Sequence, residues 1–424
     1  MSGSATTSLS DQHPSTIAFE VIAGVPEVTS DPSAHYRALR ERAPVHRMEL
    51  PGLGVLHVLS RYADCKAVLA SHEFGKGDRA GRAPSMFLDD EESNALQEQL
   101  EGRASSMLFL NPPDHTRIRG LVSRAFTPRR IEELRPRIDA MVADVLDPLA
   151  GGGEVDLLDV LGFPLPVAVI GALVGVPVED HGWFRQRVRD GAASLELNAD
   201  AEVLRRAGVA LDEMIAYFDD LVEVRRGSPK DDLLSALIAA EDQGDRLAHE
   251  ELIANVILMF AAGFETTTNL IGNGVVALCA HPQELARLRA DRALLPSAVE
   301  EVLRYDSPVQ VDGREALVDT TLPDGSPIAA GETAVTLLGA ANRDPERFTD
   351  PDRFDVGRAD NSPLSFAWGI HHCLGAGLAR AEGVAVFGAL LHRFGTIEVL
   401  DDPPRWRRSI TLRGLEGLRV RLSP

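Results

Sequence analysis

Phe366-Ala367-Trp368-Gly369-Ile370-His371-His372-Cys373-Leu374-Gly375 holds one of only three cysteines in a chain of 424 residues. An amphipathic pattern follows at once, over residues 375–392, and reads as a helix that begins just after the cysteine. The unpaired N–H groups and positive dipole end of such a helix favour thiolate over thiol at Cys373. Gly369 and Gly375 leave no side chain beside the sulfur, so backbone can approach a flat ligand and point N–H groups at it. An isolated cysteine beside two histidines is more often a buried structural thiol, so the wider context has to decide. His371, His372 and Cys373 cannot make a zinc site, because adjacent residues do not converge on one tetrahedron. Gly375-x-Gly377 fails as a dinucleotide loop, since the third glycine position holds Arg380. Cys65 and Cys279 supply no CxxC pair, which leaves neither a disulfide framework nor a four-cysteine metal site.

Upstream, Glu301-x-x-Arg304 puts opposite charges three residues apart on one helix face, behind Ser297-x-x-Glu300, which has the form of a capping box. Further upstream a long helix is expected over residues 249–279, and Ala262-Gly263-Phe264-Glu265-Thr266-Thr267 lies in its apolar middle. Gly263 lowers helix propensity and the Thr266 hydroxyl competes for a backbone carbonyl, a combination that opens a local groove. His115 and Arg119 stand four apart near the start of another helix, so they share a face and can bind one anion together.

The segment from Phe366 to Gly375 resembles the haem-ligand loop of cytochromes P-450, and the acid–threonine hexapeptide and the ExxR pair occur in that family's order. The resemblance runs from near Val45 to Leu412-Arg413-Gly414-Leu415. It implies a mainly α fold with small β regions, a triangular prism with haem b between the long central helix and the cysteine helix. Cys373 is then the axial ligand of the haem iron, Phe366 shields it, and Ala262, Gly369 and Gly375 lie against the macrocycle. His115, Arg119, Arg314 and His371 are implied as partners of the two propionates, while His372 gains no role. Glu265 and Thr266 are implied as the relay that carries protons to dioxygen, the co-substrate, since an alcohol backed by a carboxylate can pass them in from solvent. In the family the ExxR pair is buried and joined by an arginine from the downstream coil. Arg353 is the expected partner of Glu301 and Arg304, with Arg358 as its rival. Ala367 departs from the family pattern, which has Gly, Ser, Asn or His at that position.

The activity this implies is insertion of one oxygen atom into a small apolar substrate, hydroxylation first, with a secondary metabolite such as a polyketide or terpenoid as the substrate class. Ala261, Val309, Ile410 and Thr411, with residues 77–108, are expected to line the pocket. Too little chain follows Cys373 for a flavin or iron–sulfur domain, so a separate ferredoxin and ferredoxin reductase are the expected electron donors. Arg117, Arg124, Arg129 and Arg130 are the expected docking face. The alternative from another class is a non-catalytic haem-thiolate sensor or electron carrier. Glu265-Thr266 speaks against it, because a sensor needs no proton relay.

Composition agrees with a globular protein large enough to bury a cofactor: 44 % of residues are hydrophobic and 25 % charged. A net charge of −21 and the lack of a long basic run argue against nucleic acid or an anionic membrane surface as partner. Residues 160–178 are uncharged but contain Pro164, Pro166 and Pro177 with acidic flanks, and residues 252–280 carry Glu265, Asn255, Asn269 and Asn273, so neither reads as a membrane span. A cytoplasmic monomer is expected, a single domain over residues 1–424 with residues 1–15 a disordered tail. Helices are expected to start at Asp31-Pro32, at Pro112-Pro113-Asp114 and at Pro128, and to fill residues 180–226 and 231–240. A β-hairpin is expected over residues 45–59, broken at Pro51-Gly52, with strands at 309–311, 316–322 and 329–338 and a C-terminal pair.

Overall fold

Proline opens helix after helix in this chain, because its fixed φ suits the first turn and its missing N–H is not needed there. The computed structural model describes residues 8–51, 53–76, 106–196, 199–242 and 247–424. Helices α1 (Pro14–Ala23), α2 (Pro26–Ser30) and α3 (Ser33–Arg42) lead into strands β1 (Val45–Leu50) and β2 (Gly54–Leu59), then α4 (Tyr62–Ala70) and β3 (Phe74–Gly75). The helical middle comprises α5 (Asp114–Val122), α6 (Pro128–Leu146), the short strand β4 (Gly153–Asp156), α7 (Pro164–Val174), α8 (His181–Ala193), α9 (Ala201–Gly227) and α10 (Leu233–Asp242). It ends in α11 (His249–Ala280), the 32-residue helix expected from the sequence. After α12 (Pro282–Ala290) and α13 (Leu295–Tyr305) come strands β5 (Val311–Ala316), β6 (Thr320–Thr321), β7 (Pro327–Ile328) and β8 (Thr333–Leu337) and the turn-length α14 (Leu338–Ala341). The chain finishes with α15 (Ala376–Arg393), β9 (Thr396–Val399) and β10 (Arg419–Ser423).

The largest sheet has the order β1-β2-β8-β5-β3. Its hairpin pairs Val45 with Leu59, β2 runs parallel to β8, and β5 is antiparallel to β8 with Val311 opposite Leu337. A three-stranded sheet β4-β10-β9 closes the C-terminus, and β6-β7 is a separate ribbon. Helix α11 is the spine: its first half, through Phe260, packs with Phe184 and Phe218 in one apolar cluster, its second half with α13 and α15 in another. Fully burying an aromatic such as Phe260 contributes roughly 2–3 kcal/mol. The close crossing of α11 and α15 needs Gly274, where a Cβ would collide with the Phe387 ring. Among the described residues no helix is long and apolar enough to cross a membrane.

Several local expectations need correcting. Residues 1–7 of the expected tail lie outside the described residues; at its other end Pro14 and Ser15 already belong to α1, which goes on to bury Ile17, Ala18, Val21 and Ile22. The strand expected at 309–311 begins only at Val311, and Val309 makes a lone bridge to Leu412. Within 316–322 Ala316 ends β5 and Thr320–Thr321 forms a separate strand, because Leu317 and Val318 between them turn outward to solvent. Ser297 caps no helix: α13 begins at Leu295 with Pro296 in its first turn, and the Ser297 hydroxyl donates to the carbonyls of Leu294 (2.9 Å) and Val356 (2.5 Å). Gly52 and residues 77–105 of the expected pocket segment are outside the described residues.

Candidate active site

Cys373 stands just ahead of α15, in a loop closed by its own backbone. The Cys373 N–H donates to Phe366 O (2.9 Å), Ala367 N–H to Leu364 O (2.8 Å) and His372 N–H to Gly369 O (3.1 Å). The turn needs left-handed backbone twice, at Ala367 (φ 56°) and Gly369 (φ 73°). Only glycine fits at 369, where a Cβ would also collide with the Leu69 carbonyl. At Gly375 a Cβ would meet no atom of the described residues, so their packing makes no demand for glycine there. Burial pushes the Cys373 thiol up; N–H groups of Gly375 and Ala376 and the guanidiniums of Arg119 and Arg380 oppose this by favouring thiolate. Arg380 also lies 4.6 Å above the Phe366 ring and is ion-paired with Glu300, neither of which was expected.

The ExxR pair is buried, as implied. Arg304 is 0 % exposed, yet all five of its N–H groups are used: Nε and Nη2 on Glu301 (both 2.8 Å), Nη1 on the carbonyls of Asn342 (3.0 Å) and Pro351 (2.7 Å), and Nη2 also on Arg353 O (3.1 Å). The expected third member is wrong. Arg353 contributes only its carbonyl, and its side chain turns outward, whereas the rival Arg358 brings Nε to Glu301 Oε2 at 3.1 Å. The coil bends so that Asp355 N–H (2.8 Å) and Asn361 Nδ2 (3.0 Å) also donate to Glu301. The network reaches the cysteine loop through Asn342, which donates to Ser365 Oγ (2.9 Å) and accepts from Leu364 N–H (2.7 Å). A buried ion pair stabilises only when its remaining lone pairs and protons are met, and here they are.

The four expected propionate partners are brought together from three parts of the sequence. The rings of His115, on α5, and His371 lie 4.3 Å apart, and Arg314 on β5 acts electrostatically on both. Arg119 faces the same region and donates to the His372 carbonyl. Burial, then Arg314, Lys76 and His115, pushes His371 down to about 3; burial, then Arg119 and Arg314, lowers His115. Both are therefore neutral imidazoles near pH 7. His115 Nδ1 and Nε2, His371 Nε2 and Arg314 Nη2 are buried with no hydrogen-bond partner among the described residues. Buried polar atoms are nearly always paired, so donors left over at one place fit carboxylates brought in by a cofactor. The donor set thus suits haem, with Cys373 to hold the iron and these groups to hold the propionates. When bound, haem supplies the iron at which dioxygen is activated.

On α11 the Thr266 hydroxyl donates to Ala262 O at 2.7 Å, the competition expected from the sequence, and Ala262 is exposed in the middle of an otherwise buried helix. Glu265 is 3 % exposed and ion-paired with Arg407, which also donates to Asn269 Oδ1 at 2.5 Å. Arg407 has no signal in the sequence, since it sits in an irregular segment 142 residues from Glu265. Of the expected pocket residues, Val309 pairs with Leu412 and Gln310 N–H donates to Thr411 O (2.9 Å), which sets Val309 beside the Ile410-Thr411 turn. Glu196 clasps that turn by accepting from the N–H groups of Ile410 (2.9 Å) and Thr411 (3.1 Å). Ala261 is half-buried in the apolar cluster that also takes Leu374 from the cysteine loop.

The family model described as Cytochrome P-450 matches residues 200–411. Cytochrome P-450 107B1 of Saccharopolyspora erythraea is 43 % identical over 392 residues, 91 % of this chain and 94 % of its own. The 6-deoxyerythronolide B hydroxylase of the same organism is 39 % identical over 409 residues, 94 % of this chain and 99 % of its own. The polyketide biosynthesis cytochrome P-450 PksS of Bacillus subtilis is 38 % identical over 391 residues, 91 % and 94 % of the two chains. A solved structure of PksS matches with a TM-score of 0.83, covering 97 % of this chain and all of that one. Similarity of this extent, running through the long helix and the cysteine loop alike, makes the chain a member of the cytochrome P-450 family, haem b-dependent monooxygenases that insert one atom of dioxygen into a small molecule.

Proposed function

We propose that this enzyme hydroxylates an apolar secondary metabolite of the polyketide class, with Cys373 as axial ligand of the haem iron. His115, Arg119, Arg314 and His371 hold the propionates, and Phe366, Gly369, Gly375 and Ala262 frame the macrocycle. Thr266, with Glu265 behind it, moves protons to dioxygen. Val309, Ala261, Ile410 and Thr411 border the substrate, and the chain works as a single domain. The observation that carries this reading is the set of buried, unpartnered donors on His115, His371 and Arg314 beside the cysteine loop. The names of two relatives, a 6-deoxyerythronolide B hydroxylase and a polyketide biosynthesis enzyme, support the substrate class.

Electrons come from a separate ferredoxin and its reductase. The docking surface centres on Arg124, Arg129 and Arg130, which are exposed, and less on Arg117, whose guanidinium is engaged by Glu251 at 2.6 Å. Reversing the charge of the three exposed arginines is expected to raise the KM for ferredoxin and leave haem content unchanged.

Carbon monoxide added to the reduced protein tests the ligand assignment. A main absorption band far to the red, lost in Cys373→His, is the expected result; a wild-type band at the position of a histidine-ligated globin overturns it. A spin-state screen with polyketide macrolactones and terpenoids then tests the substrate class, and a response to terpenoids alone rejects polyketides.

A further inference from the structure

Lys76 is a buried cation that none of the roles above uses. It follows β3 directly, and β3 pairs with β5, which carries Arg314 two residues beyond Asp312. Its main chain is pinned on both sides by one amide: Lys76 N–H donates to Asn111 Oδ1 (2.9 Å) and Asn111 Nδ2 donates to Lys76 O (2.5 Å). Asn111 in turn accepts the N–H of His115 at 3.0 Å, so Lys76 is tied to the helix that bears His115 and Arg119. Lys76 is 9 % exposed, with Nζ 2.8 Å from Asp312 Oδ1 and 3.1 Å from Gly313 O.

Arg314 uses the same acceptors. Its Nη1 lies 2.6 Å from Asp312 Oδ1 and 2.9 Å from Gly313 O, while Nη2 is buried without a partner among the described residues. Two cations thus share a single carboxylate oxygen. A lone Asp312–Arg314 pair would be neutral and would hold the guanidinium for itself. With Lys76 the trio carries one net positive charge, and with Arg119 the region carries two, against the two negative charges of a haem's propionates. Burial pushes Lys76 down to about 8, while Arg314 and Lys76 hold Asp312 well below the usual carboxylate range despite its burial, so the trio stays ionised near pH 7.

We infer that Lys76 is a haem-positioning residue, offsetting Asp312 so that Arg314 can turn its free Nη2 to a propionate, an inference that rests on the propionate role proposed above for Arg314. Such a residue acts on the cofactor through charge. Removing a buried positive charge beside the propionates disfavours the ferrous state, which carries one electron more than the ferric.

The test uses purified holoenzyme of wild type, Lys76→Met, Lys76→Arg, Asp312→Asn, the Lys76→Met/Asp312→Asn double variant and Arg314→Ala. Two quantities are read: the rate of haem transfer to excess apomyoglobin, and the ferric/ferrous midpoint by dye-coupled titration. Lys76→Met is expected to lose haem about tenfold faster and to shift the redox equilibrium at least about threefold toward ferric, which is about 28 mV at 59 mV per tenfold for one electron. Lys76→Arg restores both. The double variant recovers most of the shift, because both charges leave together, and Asp312→Asn alone shifts the equilibrium toward ferrous. If Lys76→Met retains too little haem for titration, the double variant decides the matter: haem retention restored there supports the offset of Asp312 by Lys76, and haem loss as fast as in Lys76→Met overturns it. Should Lys76→Met lower only the melting temperature while Arg314→Ala changes haem loss and midpoint, Lys76 is a loop tether and the inference fails. Should Arg314→Ala itself leave both unchanged, it is the propionate role of Arg314 that fails.

Discussion

Arg407, from the C-terminal segment, closes an ion pair on the Glu265 carboxylate in the middle of the long helix, and its other Nη reaches Asn269 one turn further on. The carboxylate expected to relay protons is therefore not loose in a groove. It is held by a guanidinium that is itself about one-quarter exposed.

Arg407→Met leaves a buried carboxylate unpaired, and the expected loss is about 2–3 kcal/mol, below the range for fully buried pairs because Arg407 is partly solvated. Adding Glu265→Gln removes the orphan charge and should recover most of that loss. Urea unfolding of the two variants beside wild type checks it; a double variant as unstable as the single one rejects the pairing as the cause.

Thr266 donates its hydroxyl proton to Ala262 O, which leaves the hydroxyl oxygen able to accept. Thr266→Ala should retain haem and its spectrum, while product formed per reductant consumed falls at least about tenfold, short of the roughly hundredfold at the low end of what a positioned proton donor contributes. Hydrogen peroxide release should rise to match. Coupling equal to wild type would remove Thr266 from the relay.

Arg358, and not Arg353, shares Glu301 with Arg304. Arg358→Ala should cost about 2–4 kcal/mol and lower haem occupancy, since it strips one donor from a fully buried carboxylate. Arg353→Ala should stay within about 0.5 kcal/mol, as its side chain is solvated and its carbonyl is kept. Equal effects in denaturation and haem-content measurements would contradict this division.

Glu382, on α15, is 2 % exposed, its Oε2 lacks a partner among the described residues, and burial pushes its carboxyl up to about 8. Below the ordinary value of 4.5 both folded and unfolded chains hold the proton. Between 4.5 and 8 the unfolded chain ionises and the folded one does not, so this residue's contribution to stability declines as pH rises through that window. Glu382→Gln should match wild type near pH 4.5 and exceed it by up to about 3 kcal/mol at pH 7. A pH series of melting curves for the two proteins reads the difference directly, and parallel curves would show that Glu382 is not buried as a neutral acid.

The turn at Ala367 shows how far local pattern carries. The family's preference for Gly, Ser, Asn or His there has a backbone cause, since residue 367 has φ 56°, and a left-handed alanine costs about 1 kcal/mol. The departure and its bearing on the turn were visible in the sequence; the left-handed backbone at 367 was not. The same holds for Ser297 and Glu300, where spacing alone suggested a capping box. Pro296 moved the helix start, and Glu300 went instead to Arg380, a residue from another helix.

By itself the sequence determined the long helix, the hairpin at Val45–Leu59, the cysteine at the head of a helix and the Glu301–Arg304 pair, because each rests on a period, a cap or a spacing within one segment. Only the tertiary structure decided which arginine joins that pair, what holds Glu265, and that Lys76 and Arg314 share Asp312. These partners lie from about fifty to more than two hundred residues apart, and a charge at such range is chosen by how packed elements bring side chains together, which no local pattern of residues encodes.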